Sequence, residues 1–360
     1  MEIKSKVKNF EVVFVQDFNF IKELLKIDHY IVIAGKNVYK IYKDKIFNKF
    51  PKEKVKIIEL GEENKTLSVV AKLYESLLEG SAKKNLTLIS FGGGINQDVV
   101  GFTASTLYRG INWIYIPTTL LSMADSSIGS KTSLNFKNYK NVIGTFYPPS
   151  KIIINVDFLK TLSKLDYYSG IGEVIKLYMM KKNFINEIND VAQKIDRLLS
   201  KTNNNQIKII INEAMKIKLS YMEGDEFDHG RRNLLNYGHE FGHALESASS
   251  FNIPHGTAVL IGIIFANCVS LKRNFIDIET FNKLNKLLLL PNILFNDLEL
   301  KREYFNKEKI LDSMKKDKKR TGKGLVLVLP SKKFSLIKIN DLSIDEYSTS
   351  LIKLRKLLQV

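Results

Sequence analysis

Five short apolar runs, at residues 30–34, 56–60, 86–91, 113–116 and 152–155, alternate with helical segments through the first half of the chain. Residues 66–80 carry apolar side chains at amphipathic-helix spacing, and 95–108 follows a run of three glycines. Strands separated by helices imply a parallel α/β sheet. From about residue 165 the pattern changes to long stretches of 3.6-residue periodicity, at 171–200, 206–223, 233–250, 256–273 and 279–289. Only 324–329 and 334–339 look like strands in this second half. The expected architecture is a parallel-sheet nucleotide-binding domain over 1–165, followed by a mostly α-helical domain over 166–360.

A chain of 360 residues has room for two hydrophobic cores, and 44% hydrophobic with 26% charged residues is a globular composition. The longest apolar runs, such as 258–266, fall short of the about 20 residues that span a bilayer. Residues 1–10 lack the continuous apolar stretch of a secretion signal. A cytoplasmic location without a membrane partner is therefore expected. The single cysteine, Cys268, excludes an intrachain disulfide and reads as a small core residue in a reducing compartment. A net charge of +17 suits nucleic acid, or a multiply anionic small molecule, or simply a lysine-rich composition. The lysines are dispersed, with no compact basic block interleaved with aromatics, so nucleic acid is not an expected partner.

Gly92, Gly93 and Gly94 follow an apolar run and precede a helical segment. Such a turn lets the backbone approach a pyrophosphate at a helix N-terminus, but it serves equally as a tight strand-to-helix connection. A second turn, Pro117, Thr118 and Thr119, follows the next run and could offer hydroxyls to the same ligand. Both turns belong at carboxyl ends of strands, where open α/β sheets bind ligands.

Three of the five histidines, His239, His243 and His255, fall within seventeen residues. His239 and His243 are four apart and share a helix face, so a divalent metal is the natural explanation. His239, Glu240 and His243 also spell the H-E-x-x-H helix of zinc proteases. That reading fails downstream. His255 comes twelve residues after His243 rather than six, and no glutamate lies between Glu246 and Glu279 to act as a third ligand.

Segments 92–98, 117–121, 125–135, 140–144, 173–176, 235–246 and 255–259, in this order, resemble the 3-dehydroquinate synthase family of sugar-phosphate cyclases. The resemblance implies an N-terminal NAD domain, a C-terminal metal domain and a homodimer. It implies conversion of 3-deoxy-D-arabino-heptulosonate 7-phosphate, a phosphorylated sugar acid, to 3-dehydroquinate and phosphate. By position Glu173, His239 and His255 match the metal ligands, for zinc or cobalt, and His243 matches a histidine of the substrate network. Asp125, Lys131, Asn141, Lys176, Lys218, Arg232, Asn236 and Lys318 fall at active-site positions, and Arg109 matches an arginine that reaches the neighbouring subunit's site. Asn37, Glu62, Lys65, Gly93, Gly94, Asp98, Thr118, Thr119 and Lys140 match NAD-binding positions. Lys140 also borders the substrate. Arg232 can hold a carboxylate bidentately, while lysines act as point charges on phosphate. Any single lysine among 55 basic residues is otherwise a solvated surface charge. Lys131 and Lys176, flanked by small or apolar residues, are expected to escape that fate. Glu173, between Ile171, Gly172, Val174 and Ile175, reads as a buried carboxylate in need of a partner.

The chain departs from the family pattern at Gly35, Gln97, Ser130, Tyr139, Asp228, Glu240 and Thr257. Gln97 places a side chain near the expected pyrophosphate. Related cyclases that make 2-deoxy-scyllo-inosose, epi-valiolone or an amino variant of dehydroquinate share the scaffold and are the alternatives, as is a metal- and NAD-dependent polyol dehydrogenase. Arg232, Asn236 and His243 favour the dehydroquinate reaction.

Overall fold

The computed structural model describes residues 1–59, 61–80, 82–137, 139–295, 298–315 and 324–360, which form two compact units, Met1–Leu162 and Ser163–Val360. Lys318 lies outside the described residues.

The first unit is built on a seven-stranded sheet. In chain order its strands are β1 (Glu2–Ile3), β2 (Phe10–Val15), β3 (Tyr30–Gly35), β4 (Val55–Ile58), β5 (Thr87–Gly92), β6 (Asn112–Pro117) and, after the hairpin strands β7 (Lys131–Phe136) and β8 (Tyr139–Phe146), β9 (Lys151–Asn155). Their spatial order is β1-β2-β9-β6-β5-β3-β4. All neighbours are parallel except the β1–β2 pair. Central strands have no solvated face, so Val32, Ile33, Leu88, Ile89, Phe91, Tyr115, Ile116, Ile152 and Ile154 are sealed from water. This is why their sequences read as unbroken apolar runs. The helix Gly94–Thr106 packs Val99 and Phe102 against Val70 and Leu134, which anchors the antiparallel β7–β8 hairpin to the sheet.

The second unit wraps around the helix His255–Lys272, whose residues from Gly256 to Ser270 are all buried. By length and composition this helix could cross a membrane, yet 83% of its apolar window is buried by protein, as in a core helix. The helices Lys164–Met179, His239–Ala248 and Ile344–Leu358 pack on it, with a hairpin of β10 (Leu325–Pro330) and β11 (Leu336–Leu342) alongside. Cys268 lies in this core.

Three details differ from the sequence reading. The 171–200 stretch is two helices, Lys164–Met179 and Ile188–Ser200, because the chain turns through Asn183 in a left-handed conformation at φ 61°. The 233–250 stretch begins as a 3-10 turn, Arg231–Asn236, and restarts at Gly238, with φ 82°, before His239. Strands β1 and β2 and the β7–β8 hairpin are additional strands.

Candidate active site

Close backbone packing assembles the cluster in the second unit. A Cβ on Gly172 would meet the Gly256 carbonyl oxygen at 2.2 Å, and one on Gly256 would meet that of Ser169 at 1.8 Å. Only glycines let the two helices approach this closely, and each glycine adjoins a site residue, Glu173 or His255. Ser169 Oγ accepts the Gly256 N–H at 2.9 Å, satisfying an orphan donor in the first turn of the core helix.

Glu173 is fully buried, as its apolar neighbours imply. Its Oε1 stands 3.5 Å from His239 Nε2 and 3.4 Å from His255 Nε2, and among the described residues it accepts no hydrogen bond of good geometry. Two ligands on a tetrahedral zinc at about 2.05 Å are separated by about 3.3 Å. Both imidazole-to-carboxylate distances therefore match the spacing of groups sharing one cation, and the sealed, unsatisfied oxygen fits that role. His239, His243 and His255 also place ring nitrogens within 4.8 Å of one another, a looser cluster. His243 itself is exposed.

The other carboxylate oxygen of Glu173 meets Lys176 Nζ at 2.6 Å. Burial opposes ionisation of Glu173, but Lys176 and His255 outweigh it and hold the carboxyl below the usual range. Burial would likewise lower His255, yet Glu246 and Glu173 raise it to about 10 in the metal-free protein. Lys218 and Arg232 are buried in the same unit. Arg232 donates to the Glu226 carbonyl, and Asn236 donates to the Asn233 carbonyl at 2.8 Å. The turn carrying Arg232 is organised by Asp225, whose carboxylate accepts the backbone N–H groups of His229, Gly230 and Arg232, each at 2.8 Å. Burial opposes ionisation of Asp225, but these three amides together outweigh it and hold its carboxyl below the ordinary range. Asp225 and Glu246 are not among the expected site residues. Neither stands in a spacing pattern that singles it out.

In the first unit the glycine turn is a bare cradle. A Cβ on Gly93 would approach Thr119 Cγ2 to 2.9 Å, so the two expected ligand turns are adjacent. Gly93 is the N-cap of the Gly94–Thr106 helix and offers no side chain to its free amides, which suits an anionic group. Thr119 caps the next helix, Leu120–Ala124, through a reciprocal bond with Ser122, and Thr118 is buried. Gln97, one of the departures from the family pattern, is bonded to Ser126. Its Oε1 accepts from Ser126 Oγ at 2.7 Å and its Nε2 donates to the Ser126 carbonyl at 3.0 Å, so the side chain is tied down beside the segment holding Asp125.

A polar network joins five expected residues, Lys65, Asp98, Asn141, Glu62 and Lys140. Lys65 Nζ pairs with Asp98 and donates to Asn141 Oδ1 at 2.7 Å. Ser133 donates its N–H to Asp98 at 3.0 Å and its hydroxyl to Asn141 at 2.9 Å. Asn135 donates to Glu62 Oε1 at 2.9 Å, and Lys140 stands 3.7 Å from the same oxygen. Ser133 and Asn135 complete this network although the sequence reading passes over them. Asn141 takes φ 52°, and Ser130, where the family pattern has glycine, takes φ 55°. Lys131, expected to avoid the surface, is exposed with its ammonium 5.9 Å from the Phe146 ring centre, because it starts the outer hairpin strand. Asn37 is exposed in the helix after β3. Arg109 is exposed in a loop where Tyr108 and Arg109 are both left-handed, at φ 52° and 63°.

The family models for the 3-dehydroquinate synthase N-terminal and C-terminal domains match residues 55–169 and 170–320. The 3-dehydroquinate synthase of Dictyoglomus turgidum is 37% identical over 319 residues, 87% of each chain. The fold is that of 2-epi-5-epi-valiolone synthase from Streptomyces hygroscopicus subsp. jinggangensis, solved with NAD+ and Zn2+, at TM-score 0.80, 21% identity and 99% coverage of both chains. A 2-deoxy-scyllo-inosose synthase solved with carbaglucose-6-phosphate, NAD+ and Co2+ matches at TM-score 0.77 and 23% identity, again over 99% of each chain.

Proposed function

This chain belongs to the 3-dehydroquinate synthase family, and we propose that it converts 3-deoxy-D-arabino-heptulosonate 7-phosphate to 3-dehydroquinate and phosphate. The observation that carries the reading is the convergence of Glu173 with two imidazoles at ligand-to-ligand spacing. NAD and one divalent metal, zinc or cobalt, are its cofactors. Glu173, His239 and His255 hold the metal, and exposed His243 is left for the substrate. Asn37, Glu62, Lys65, Gly93, Gly94, Asp98, Thr118, Thr119 and Lys140 hold NAD. When bound, NAD takes and returns a hydride, while the metal polarises substrate oxygens.

The chain's own residues bind and orient. Arg232 grips the substrate carboxylate through its planar fork, and Asn236 hydrogen-bonds beside it. Lys131, Lys176, Lys218 and Lys318 bring positive charge to the phosphate and to oxyanions that form during reaction. Asp125 and Asn141 receive and orient hydroxyl groups. The reaction runs through transient oxidation of a secondary alcohol, elimination of phosphate from the carbon chain next to the acidified C–H, re-reduction, ring opening and intramolecular aldol closure. The oxidation is undone in each turnover, so no NADH accumulates. The same reading makes the working form a cytoplasmic homodimer in which Arg109 serves the neighbouring copy, and it places the product in the shikimate pathway to aromatic amino acids.

Incubation with 3-deoxy-D-arabino-heptulosonate 7-phosphate, NAD and Zn2+ or Co2+ is expected to release phosphate without net NADH. Release only from sedoheptulose 7-phosphate or glucose 6-phosphate would reassign the chain to a related cyclase. Net NADH from a polyol would make it a dehydrogenase.

A further inference from the structure

His255 stands between two carboxylates. Its Nε2 lies 3.4 Å from Glu173 Oε1, and its Nδ1 lies 3.1 Å from Glu246 Oε2. Glu246 is 6% exposed and sits in the last turn of the His239–Ala248 helix, seven residues after His239 and so on the same face. His239 is held differently. Its Nδ1 faces the Tyr237 carbonyl at 3.4 Å, a neutral acceptor at long range. The two imidazoles closest to Glu173 are thus oriented unequally, one by a carboxylate and one by the backbone.

We propose that Glu246 is a positioning residue of the metal site. It accepts the Nδ1–H of His255, which fixes the tautomer with the Nε2 lone pair free. It also sets the ring plane so that Nε2 aims at the point where Glu173 and His239 converge. A carboxylate on the far nitrogen strengthens an imidazole as a donor, and losing such a partner lowers metal affinity about 10–100-fold. This role rests on the proposed ligand set of Glu173, His239 and His255. Glu246 touches neither substrate nor metal itself.

The test compares metal-free full-length wild type, E246Q and E246A by titration with Co2+, reading affinity and the visible absorption of the bound ion, with NAD affinity measured in parallel. Wild type is expected to bind one Co2+ per chain. E246A should bind it about 10–100-fold more weakly, with a changed spectrum. E246Q, which keeps an acceptor oxygen without the charge, should fall between them, and all three should bind NAD equally. Wild-type cobalt affinity and spectrum in E246A would overturn the inference while leaving the ligand set intact. Equal loss of cobalt and NAD binding in both variants would also overturn it, by showing a general folding role. Failure of wild type to bind cobalt, or unaltered binding in H255A, would overturn the ligand set beneath it.

Discussion

Lys176 and Glu173 lie one helical turn apart and meet at 2.6 Å, with side chains 2% and 0% exposed. An ion pair this deeply buried holds its partners in place chiefly because neither can be left alone. Replacing one member of such a pair costs about 3–5 kcal/mol, since the survivor stays charged in a dry interior. K176M is expected to destabilise the metal-free protein by about that amount, seen as a lower melting temperature. A saturating divalent cation should restore much of it by supplying the missing positive charge. Thermal melts with and without Zn2+ check this, and an equal drop in both would contradict it.

Asp225 is expected to act on substrate binding through Arg232. Its carboxylate gathers three backbone amides, one belonging to Arg232 itself. D225A should raise KM for the acidic substrate roughly tenfold, equivalent to about 1.4 kcal/mol, with a smaller change in kcat. D225N, which keeps one acceptor oxygen, should recover part of the loss. Steady-state kinetics of the two variants separate this from a general loss of active protein.

The reciprocal bonds between Gln97 and Ser126 predict coupling between these positions. Q97A and S126A should each cost about 1–2 kcal/mol, within the range for leaving partly buried polar groups unpaired. The double variant should cost clearly less than their sum. Chemical denaturation of the three variants measures the coupling, and strict additivity would show that the clasp contributes nothing.

Arg273 closes a two-pronged ion pair on Glu346, with Nε to Oε1 at 2.6 Å and Nη2 to Oε2 at 2.9 Å. Hydrogen bonding from Arg273 brings the Glu346 carboxyl from its ordinary 4.5 to about 2. A carboxyl depressed by folding stabilises the protein above its unfolded value and loses that contribution as pH falls toward its folded value. Acid titration should therefore lose this contribution between about pH 4.5 and 2. E346Q should be less stable at neutral pH by about 1.5–3 kcal/mol and should lack that part of the acid dependence. Stability measured against pH for both proteins checks the sign.

Strands β3, β5, β6 and β9 are legible in the sequence because burial on both faces leaves no room for polar residues. The β7–β8 hairpin is not. It is secured mainly by Leu134 and Ile143, while many of its other positions are exposed or half-buried and rich in Lys, Asn and Thr, as a loop would be. The histidines declare themselves through helical spacing, and Glu173 through its apolar neighbours. Glu246 and Asp225 do not, because each matters only through a partner that a turn brings back to it. Residues 249–254 return His255 to Glu246, and residues 226–231 return Arg232 to Asp225. The contact of Gly172 with Gly256 is a tertiary event with no local signature.

The most direct measurement is anomalous diffraction from crystals grown with Co2+ or Zn2+. A single peak about 2.0–2.2 Å from Glu173 Oε1, His239 Nε2 and His255 Nε2 is the predicted result. A peak held by His239, His243 and His255 with Glu173 left on Lys176 alone, or no peak in this cluster, would contradict the account.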